Sequence, residues 1–360
     1  MDTEVKLKGQ NKVSLKGFTL NELKDYFSAI GENRFRGEQV FIWFYKHLID
    51  SYDEMKNIPK NLQVQLTEST VNINTLKLIS TISSQETGTT KYLFETKDGY
   101  KIESVVIPEA KRTTLCISTQ VGCPLDCKFC ATGLMGYSKN LSAGEIFDQY
   151  KLATKEYTKS NIKNIVYMGM GEPLLNYDET LKSLNIFADD LIPELGLKRI
   201  IVSTVGIAPG IIELANSGLR VKLAFSLHSC FEDIRSKLIP INKKYSLREN
   251  LDAIRYYTKK TQTKITFEYV MLSGINDREE DLRELVKLCN SLPSKINVIP
   301  FSSLDHMNPG GFSAELQPSS KKRINEFVTV LKENNINVHV RYTTGEDIAA
   351  ACGQLAIVES

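Results

Sequence analysis

The sequence predicts an α/β fold whose core is a parallel sheet covered by helices. From about residue 113, six strand-like runs alternate with helical patterns, an order typical of β/α units and parallel strand pairing. The runs are β-branched and apolar on both faces, as a sheet covered on both sides requires. With 360 residues, 42% of them hydrophobic, the chain is long enough to bury such a core.

The β/α region is predicted element by element. The predicted strands are TLCIST (114–119), NIVYMGM (164–170), RIIVST (199–204), VKLAFSLH (221–228), ITFEYVML (265–272) and KINVIPF (295–301). The helical patterns between them include SAGEIFDQYKLATK, DETLKSLNIFADDL and LRENLDAIRYYTKK, and a last helix and strand follow in KKRINEFVTVLKENN and NVHVRYT. We therefore expect a partial (β/α)6 barrel over residues 109–343 and a carboxyl-terminal tail over 344–360.

The first part of the chain predicts a small helical domain over residues 1–74. Thr19 and Glu22 match a capping box, which marks a helix start. A second helix is expected in GEQVFIWFYKHL and a third after Pro59.

A β-hairpin is predicted between the helical domain and the barrel. KYLFET and YKIESVVIP are β-rich runs that flank Lys97, Asp98 and Gly99, a typical turn sequence. Residues 75–108 are therefore expected to form a short β adaptor.

Composition excludes several classes of protein. No run of 18 apolar residues appears, so no membrane span is expected, and the polar first residues do not form a signal peptide. Seven cysteines, three of them within eight residues, favour a reducing, cytoplasmic setting over a disulfide framework. A net charge of +2 neither requires nor excludes a nucleic-acid partner.

Unusual residues follow the predicted strands at one end. In a β/α barrel the carboxyl ends of the strands are where functional sites are built. The residues concerned lie at 123–130, 169–173, 203–204, 226–228 and 300–302. The sequence therefore predicts a site at this face of the sheet.

The stretch GCPLDCKFCATG carries Cys123, Cys127 and Cys130 with the spacing C-x3-C-x2-C. Structural zinc usually takes four ligands from two distant pairs, and here only one C-x2-C exists while the four histidines are scattered. A zinc-binding RNA module is thus the less favoured alternative. An iron–sulfur cube held by three thiolates would leave one iron open to a substrate or cofactor.

This cysteine loop after the first barrel strand resembles the radical S-adenosylmethionine (SAM) superfamily. The resemblance implies a [4Fe-4S] cluster held by Cys123, Cys127 and Cys130, with SAM on the open iron. The segment 169–173, GMGEP, is similar to the glycine-rich SAM segment of that superfamily. The absence of side chains there would let the backbone approach the methionine group.

Further motifs narrow the resemblance to one family. IESVVIP, TLCISTQVGC, MGMGEPLLN, FSLHS and GEDIAAACGQL resemble, in order and spacing, the RlmN family of adenine-C2 methyltransferases of ribosomal and transfer RNA. The resemblance runs from about residue 17 to about residue 355. The related Cfr enzymes, which methylate C8 of the same ribosomal adenine, are the alternative.

The resemblance implies roles for individual residues. Cys352 would accept a methyl group from one SAM, a second SAM would generate a radical, Cys116 would resolve the protein–RNA adduct, and Glu103 would be the proton acceptor. The Cys116 thiolate is an alternative base. The positions matching SAM contacts are Gly171, Glu172, Ser203, Ser226, Leu227, His228 and Ser302.

The sequence differs from the family pattern at two positions. The family usually has Asp at the position of Ala349 and often Asn at that of Ser302. The implied partners are 23S rRNA, tRNA and an electron donor such as flavodoxin or ferredoxin, with the chain acting as a monomer. Basic clusters at 111–112, 243–244, 259–260 and 321–323 are candidates for phosphate contacts.

Overall fold

A ten-stranded sheet forms the centre of the molecule in the computed structural model, which describes residues 12–192, 195–342 and 344–357. Its strand order is β1-β2-β3-β4-β7-β8-β9-β10-β11-β12, and β5 and β6 form a separate pair. The strands are β1 (Leu76–Ser83), β2 (Thr90–Thr96), β3 (Lys101–Glu109), β4 (Arg112–Cys116), β5 (Gln120–Gly122), β6 (Tyr137–Asn140), β7 (Asn164–Tyr167), β8 (Ile200–Thr204), β9 (Lys222–Ser226), β10 (Ile265–Met271), β11 (Ser294–Pro300) and β12 (Val338–Val340).

Helices connect the parallel strands. They are α1 (Leu20–Ala29), α2 (Phe35–Tyr45), α3 (Lys60–Ser69), α4 (Ala131–Leu134), α5 (Ala143–Glu156), α6 (Tyr177–Ala188), α7 (Ala208–Asn216), α8 (Glu232–Leu238), α9 (Leu247–Thr261), α10 (Glu279–Ser291), α11 (Phe312–Glu315) and α12 (Lys321–Glu333). Among the described residues, no helix is long and apolar enough to cross a bilayer.

The predicted α/β class is confirmed. The six predicted strands correspond to β4 and β7 through β11, which pair in parallel, and β12 adds a further parallel strand. The pattern did not reveal β1, because most of its residues are exposed and lack an apolar face. It also did not reveal β5 and β6, which are only three and four residues long.

The predicted β-hairpin is continuous with the parallel sheet. β2 and β3 pair antiparallel, and β3 pairs antiparallel with β4, so that Val105 lies opposite Cys116. The Ser118 hydroxyl, two residues beyond Cys116, donates to the backbone oxygen of Glu103 (2.6 Å). The register therefore brings Glu103 next to the chain that leads into the cysteine loop.

The amino-terminal helices pack on the outside of α5. The predicted capping box is present, since the Thr19 hydroxyl accepts from the Glu22 amide and the Glu22 carboxylate accepts from the Thr19 amide. The hydrophobic core runs without a break from α1 and α2 into the sheet. Residues 1–11 of the expected helical domain and 358–360 of the expected tail lie outside the described residues.

Two buried lysines connect the amino-terminal part to α5. The Lys16 ammonium group lies 3.3 Å from the Asp148 carboxylate and donates to the Phe44 carbonyl (3.1 Å). Lys151, on α5, donates to the Ile49 carbonyl and to the Asn74 side chain, each at 2.5 Å. Both ammonium groups are shielded from solvent, and burial lowers the pKa of Lys16 to about 8.

Candidate active site

A cavity lies at the carboxyl ends of the parallel strands, where the sequence places the site. Its space, counted out to its open mouth, is about 910 Å³. Residues of the cysteine loop, of β7 to β11 and the loops that follow them, and of the carboxyl-terminal tail line it. The predicted site residues among them are Cys123, Cys127, Cys130, Gly171, Glu172, Ser203, Ser226, His228 and Cys352.

The cysteine loop is folded mainly by its own backbone. The Cys130 amide donates to the Cys127 carbonyl (3.1 Å), and the Cys123 amide donates to the Gly136 carbonyl (2.7 Å). Gly122 has φ +72°, and a Cβ there would lie 1.9 Å from the Gly136 oxygen. Glycine is therefore required where the loop begins, both for its backbone conformation and for this close approach.

The three thiols have the donor chemistry of an iron–sulfur site. Burial raises the pKa of Cys123 to about 12 and the pKa of Cys127 well above its usual range. Such thiols become thiolates only beside a cationic partner, as a metal centre would provide. Within the described ranges, no three His, Cys, Asp or Glu side chains are grouped so as to hold one metal ion.

The glycine-rich segment is shaped by a neighbouring strand end as well as by the cavity. A Cβ on Gly169 would lie 2.7 Å from the Ile117 carbonyl, and one on Gly171 would lie 2.5 Å from the Gln120 Cβ. Gly171 also has φ +96°. Glycine is therefore needed at both positions because this segment packs closely against residues 117–120. Both glycines also line the cavity.

Glu172 is buried at the edge of the cavity. Its carboxylate accepts from the Leu174 amide (3.0 Å) and the Val205 amide (2.9 Å), and these bonds fix its orientation. Burial raises its pKa to about 7, and the two amides oppose that rise. Its acceptor atoms suit an ammonium group.

The residues of the FSLHS segment divide between cavity and core. Ser226 and His228 line the cavity, whereas Leu227 is fully buried and does not. His228 Nδ1 accepts from the Val270 amide (3.0 Å), and burial lowers its pKa to about 3, so the ring is neutral. Ser302 also lies off the cavity lining, and its buried hydroxyl has no hydrogen-bond partner among the described residues.

The carboxyl-terminal tail places Cys352 in the cavity. The Ala131 amide donates to the Gly353 carbonyl (2.7 Å), and the Thr132 hydroxyl donates to the Leu355 carbonyl (2.6 Å). These bonds attach the tail to the helix that follows the cysteine loop. The Cys352 thiol therefore shares the cavity with the three predicted cluster ligands.

Cys116 and Glu103 lie behind the tail and do not line the cavity. Cys116 ends β4 and is buried, and burial raises its pKa to about 12. The charges of Cys352 and Arg341 act on it in opposite directions. Glu103 accepts from Lys91 (3.0 Å) and from the Ala356 amide (3.1 Å), so both of its oxygens are engaged.

Four charged residues near the site escaped the sequence analysis: Lys91, Arg235, Glu268 and Arg341. Arg235 is fully buried and donates to the Leu227 carbonyl (3.1 Å) and the Ser226 carbonyl (3.1 Å), which holds this strand end in place. The missed signal for Glu268 is a charge in the middle of the apolar strand ITFEYVML. No sequence signal distinguishes Lys91 from the exposed lysines of the hairpin.

Two family models match the chain. The radical SAM superfamily matches residues 117–287, and the ribosomal RNA large subunit methyltransferase N-terminal domain matches residues 13–71. A dual-specificity RNA methyltransferase RlmN from Alcanivorax borkumensis is 40% identical over 96% of this chain and 91% of its own length. A probable dual-specificity RNA methyltransferase RlmN from Thermotoga maritima is 42% identical over 96% of this chain and 97% of its own length.

The chain belongs to the RlmN family of radical SAM RNA methyltransferases. A radical SAM methyltransferase from Sphaerobacter thermophilus has the same fold, with a TM-score of 0.87 and 39% identity over 95% of this chain and 99% of that one. The predicted family and its radical SAM fold are thereby confirmed. RlmN membership implies SAM, an iron–sulfur cluster and an RNA substrate.

Proposed function

We propose that this RlmN-family enzyme methylates C2 of an adenine in 23S rRNA and tRNA, through S-methylation of Cys352 and with two SAM per methyl group. The observation that carries the proposal is the shared cavity of Cys352 and the three loop cysteines. A thiol that faces both SAM and the substrate can receive a methyl group and then deliver it.

Cys123, Cys127 and Cys130 would hold the [4Fe-4S] cluster, because the three thiols line one cavity whose other walls combine apolar side chains with a few polar ones. When bound, the cluster would supply the electron that cleaves the SAM sulfonium. Glu172, Ser203 and Ser226 would bind the SAM ammonium and hydroxyl groups. Gly171 and His228 would lie beside SAM, whereas the buried Ser302 hydroxyl lies off the cavity lining and would reach SAM only if its side chain turned toward the cavity.

Cys352 is suited to accept the first methyl group. Displacement at the SAM methyl carbon requires its thiolate, which forms a C–S bond while S-adenosylhomocysteine leaves. Cys352 keeps exposed surface at the cavity, yet desolvation by the surrounding protein raises the pKa of its thiol to about 11, and the positive charge of Arg341 opposes that rise. Arg341 would therefore promote formation of the nucleophile.

Cys352, Cys116 and Glu103 would then complete transfer to C2. Loss of a hydrogen atom from the S-methyl group leaves a methylene radical on the Cys352 sulfur, which adds to the electron-poor C2. Glu103 would take the C2 proton while one electron leaves the adduct to a redox carrier such as the flavodoxin or ferredoxin. The Cys116 thiolate would then attack the Cys352 sulfur and break its bond to the methylene carbon, which takes up a proton to become the methyl group. The disulfide formed would need two electrons to reset, and all seven cysteines are free in the structure.

The roles of Glu103 and of the tail are linked by geometry. Because Lys91 and the Ala356 amide occupy the Glu103 carboxylate, we expect the tail to shift before Glu103 reaches a substrate proton. We further propose that the enzyme works as a monomer supplied with electrons by a flavodoxin or ferredoxin.

Mass analysis of RNA before and after treatment with the anaerobically reconstituted enzyme tests the proposal. We expect 2-methyladenosine in digests of 23S rRNA and tRNA, and an S-methyl group on the Cys352 peptide. Appearance of 8-methyladenosine instead would assign the chain the C8 reaction. One bound zinc with neither iron nor sulfide would favour a non-catalytic RNA-binding module.

A further inference from the structure

Glu268 is a buried carboxylate in the cavity that the proposed mechanism does not use. It lies midway along β10, in register with Ser226 on β9 and with Asn297 on β11. Its side chain lines the cavity, yet the residue is only 4% exposed. A charge at such a position needs a compensating partner.

The two oxygens of Glu268 are not equivalent. Oε1 accepts from the Asn297 side-chain amide at 2.8 Å. Oε2 is buried and has no hydrogen-bond partner among the described residues, and the Arg341 guanidinium lies 3.8 Å from it, beyond hydrogen-bond length. The cavity therefore contains a buried acceptor that the N–H or O–H group of a ligand would satisfy.

The surroundings of this acceptor indicate which ligand would fill it. Arg341 also contacts the Met168 sulfur (3.7 Å), and its charge acts on both Cys116 and Cys352. Glu268 thus lies close to Cys352, the proposed methyl carrier, and its neighbour Arg341 acts on both Cys352 and Cys116. The molecule that receives the methyl group has to occupy the same place.

We propose that Glu268 Oε2 accepts a hydrogen bond from the exocyclic amino group of the target adenine and so selects adenine over 6-oxopurines. This inference rests on the proposed function. A 6-oxopurine presents a carbonyl oxygen at that position, and two acceptors facing each other leave both unsatisfied. Burial raises the pKa of Glu268, the charge of Arg341 opposes that rise and so favours the ionised carboxylate, and the Asn297 amide orients it.

SAM carries similar groups, namely a 6-aminopurine and two ribose hydroxyls. The two sources can be separated, because S-methylation of Cys352 and reductive cleavage of SAM need no RNA. A variant impaired only with RNA places the target base at Glu268, whereas loss of the RNA-independent reactions would place SAM there and overturn the inference.

The test compares adenosine with inosine at the target position of an RNA that the wild-type enzyme methylates. In Glu268→Gln the single oxygen stays with Asn297, so the amide NH2 faces the cavity and repels an amino group but donates to a carbonyl. We expect the ratio of kcat/KM for adenosine over inosine to fall roughly 10- to 100-fold. Comparing ratios cancels the intrinsic difference in C2 reactivity.

Two further variants keep the test decisive. Glu268→Asp retains the charge but withdraws the carboxylate, and it should lower the same ratio even if Glu268→Gln does not fold. Glu284→Gln, the same change on the outer helix α10, should leave the ratio unchanged. An unaltered ratio in both Glu268 variants overturns the inference, and a wild-type enzyme that methylates no RNA overturns the proposed function with it.

Discussion

The cysteine loop and the carboxyl-terminal tail reach the same cavity by different means. The loop is held largely by backbone bonds among residues close in sequence, such as Cys130 to Cys127. The tail is held by partners far along the chain, because Ala131, Thr132 and Glu103 bond to residues between 353 and 356. The difference teaches that spacing alone can reveal the loop, whereas the position of Cys352 depends on the assembled fold.

The largest effect is expected in the loop. Cys127→Ala should remove one cluster ligand and lower SAM cleavage, Cys352 radical formation and RNA methylation together, each by more than about 100-fold. Iron and sulfide analysis should show a matching loss of cluster. The control is Cys289→Ala, which changes a buried cysteine on the outer helix α10. RNA methylation by a cluster-free Cys127→Ala enzyme would contradict the assignment of the loop.

A change in the tail should separate the two regions. Cys352→Ala should lower RNA methylation by more than about a thousandfold while cluster content and reductive SAM cleavage stay close to wild type. Product analysis for 5′-deoxyadenosine and for methylated adenosine measures the two reactions side by side. If methylated adenosine still formed at the wild-type rate, Cys352 would not be the methyl carrier.

The connection between Glu103 and the tail should give an intermediate effect. Lys91 bonds to Glu103 (3.0 Å) and to the Ala349 carbonyl (3.3 Å), so Lys91→Met leaves a buried carboxylate without its cation and frees the tail. We expect about 1–3 kcal/mol less stability in denaturant unfolding and slower RNA methylation. Lys77→Met, an exposed lysine on β1, should change neither, and equal behaviour of the two variants would show that the tail is fixed otherwise.

The smallest effect concerns the backbone of the tail. Ala349 has φ +48°, a left-handed conformation that disfavours residues with a Cβ other than Asn and Asp. Ala349→Gly should therefore stabilise the protein by about 0.5 kcal/mol, seen as a small rise in Tm. Ala351→Gly, a tail residue outside the left-handed region, should instead be destabilising, and the same sign for both would argue against backbone strain at residue 349.

Much of this arrangement could be predicted from the sequence, for physical reasons that differ between regions. The parallel strands β7 through β11 were predictable because burial on both faces demands continuous apolar runs. The cysteine loop was predictable because its conformation depends on the cysteine spacing and on a glycine at position 122, both of which are visible in the sequence. The contacts of Lys91 and Glu268 depend on strand register across the sheet, which no local pattern specifies.

The resemblance also could not show which of its residues face the cavity. Leu227 and Ser302 match family SAM positions, yet neither side chain lines the cavity, and Glu103 and Cys116 lie behind the tail. The Ala349 departure acquires a physical meaning only from its left-handed φ, since the aspartate common in the family tolerates that conformation better.

The buried lysines Lys16 and Lys151 fix how the amino-terminal part of the chain docks on α5. If the amino-terminal part docked on α5 in another register, one of the two ammonium groups would be buried without its partners, at a cost of about 3–5 kcal/mol. The position of the amino-terminal helices relative to the cavity is thus fixed. An RNA that touched both would be selected by its three-dimensional shape before any base was read.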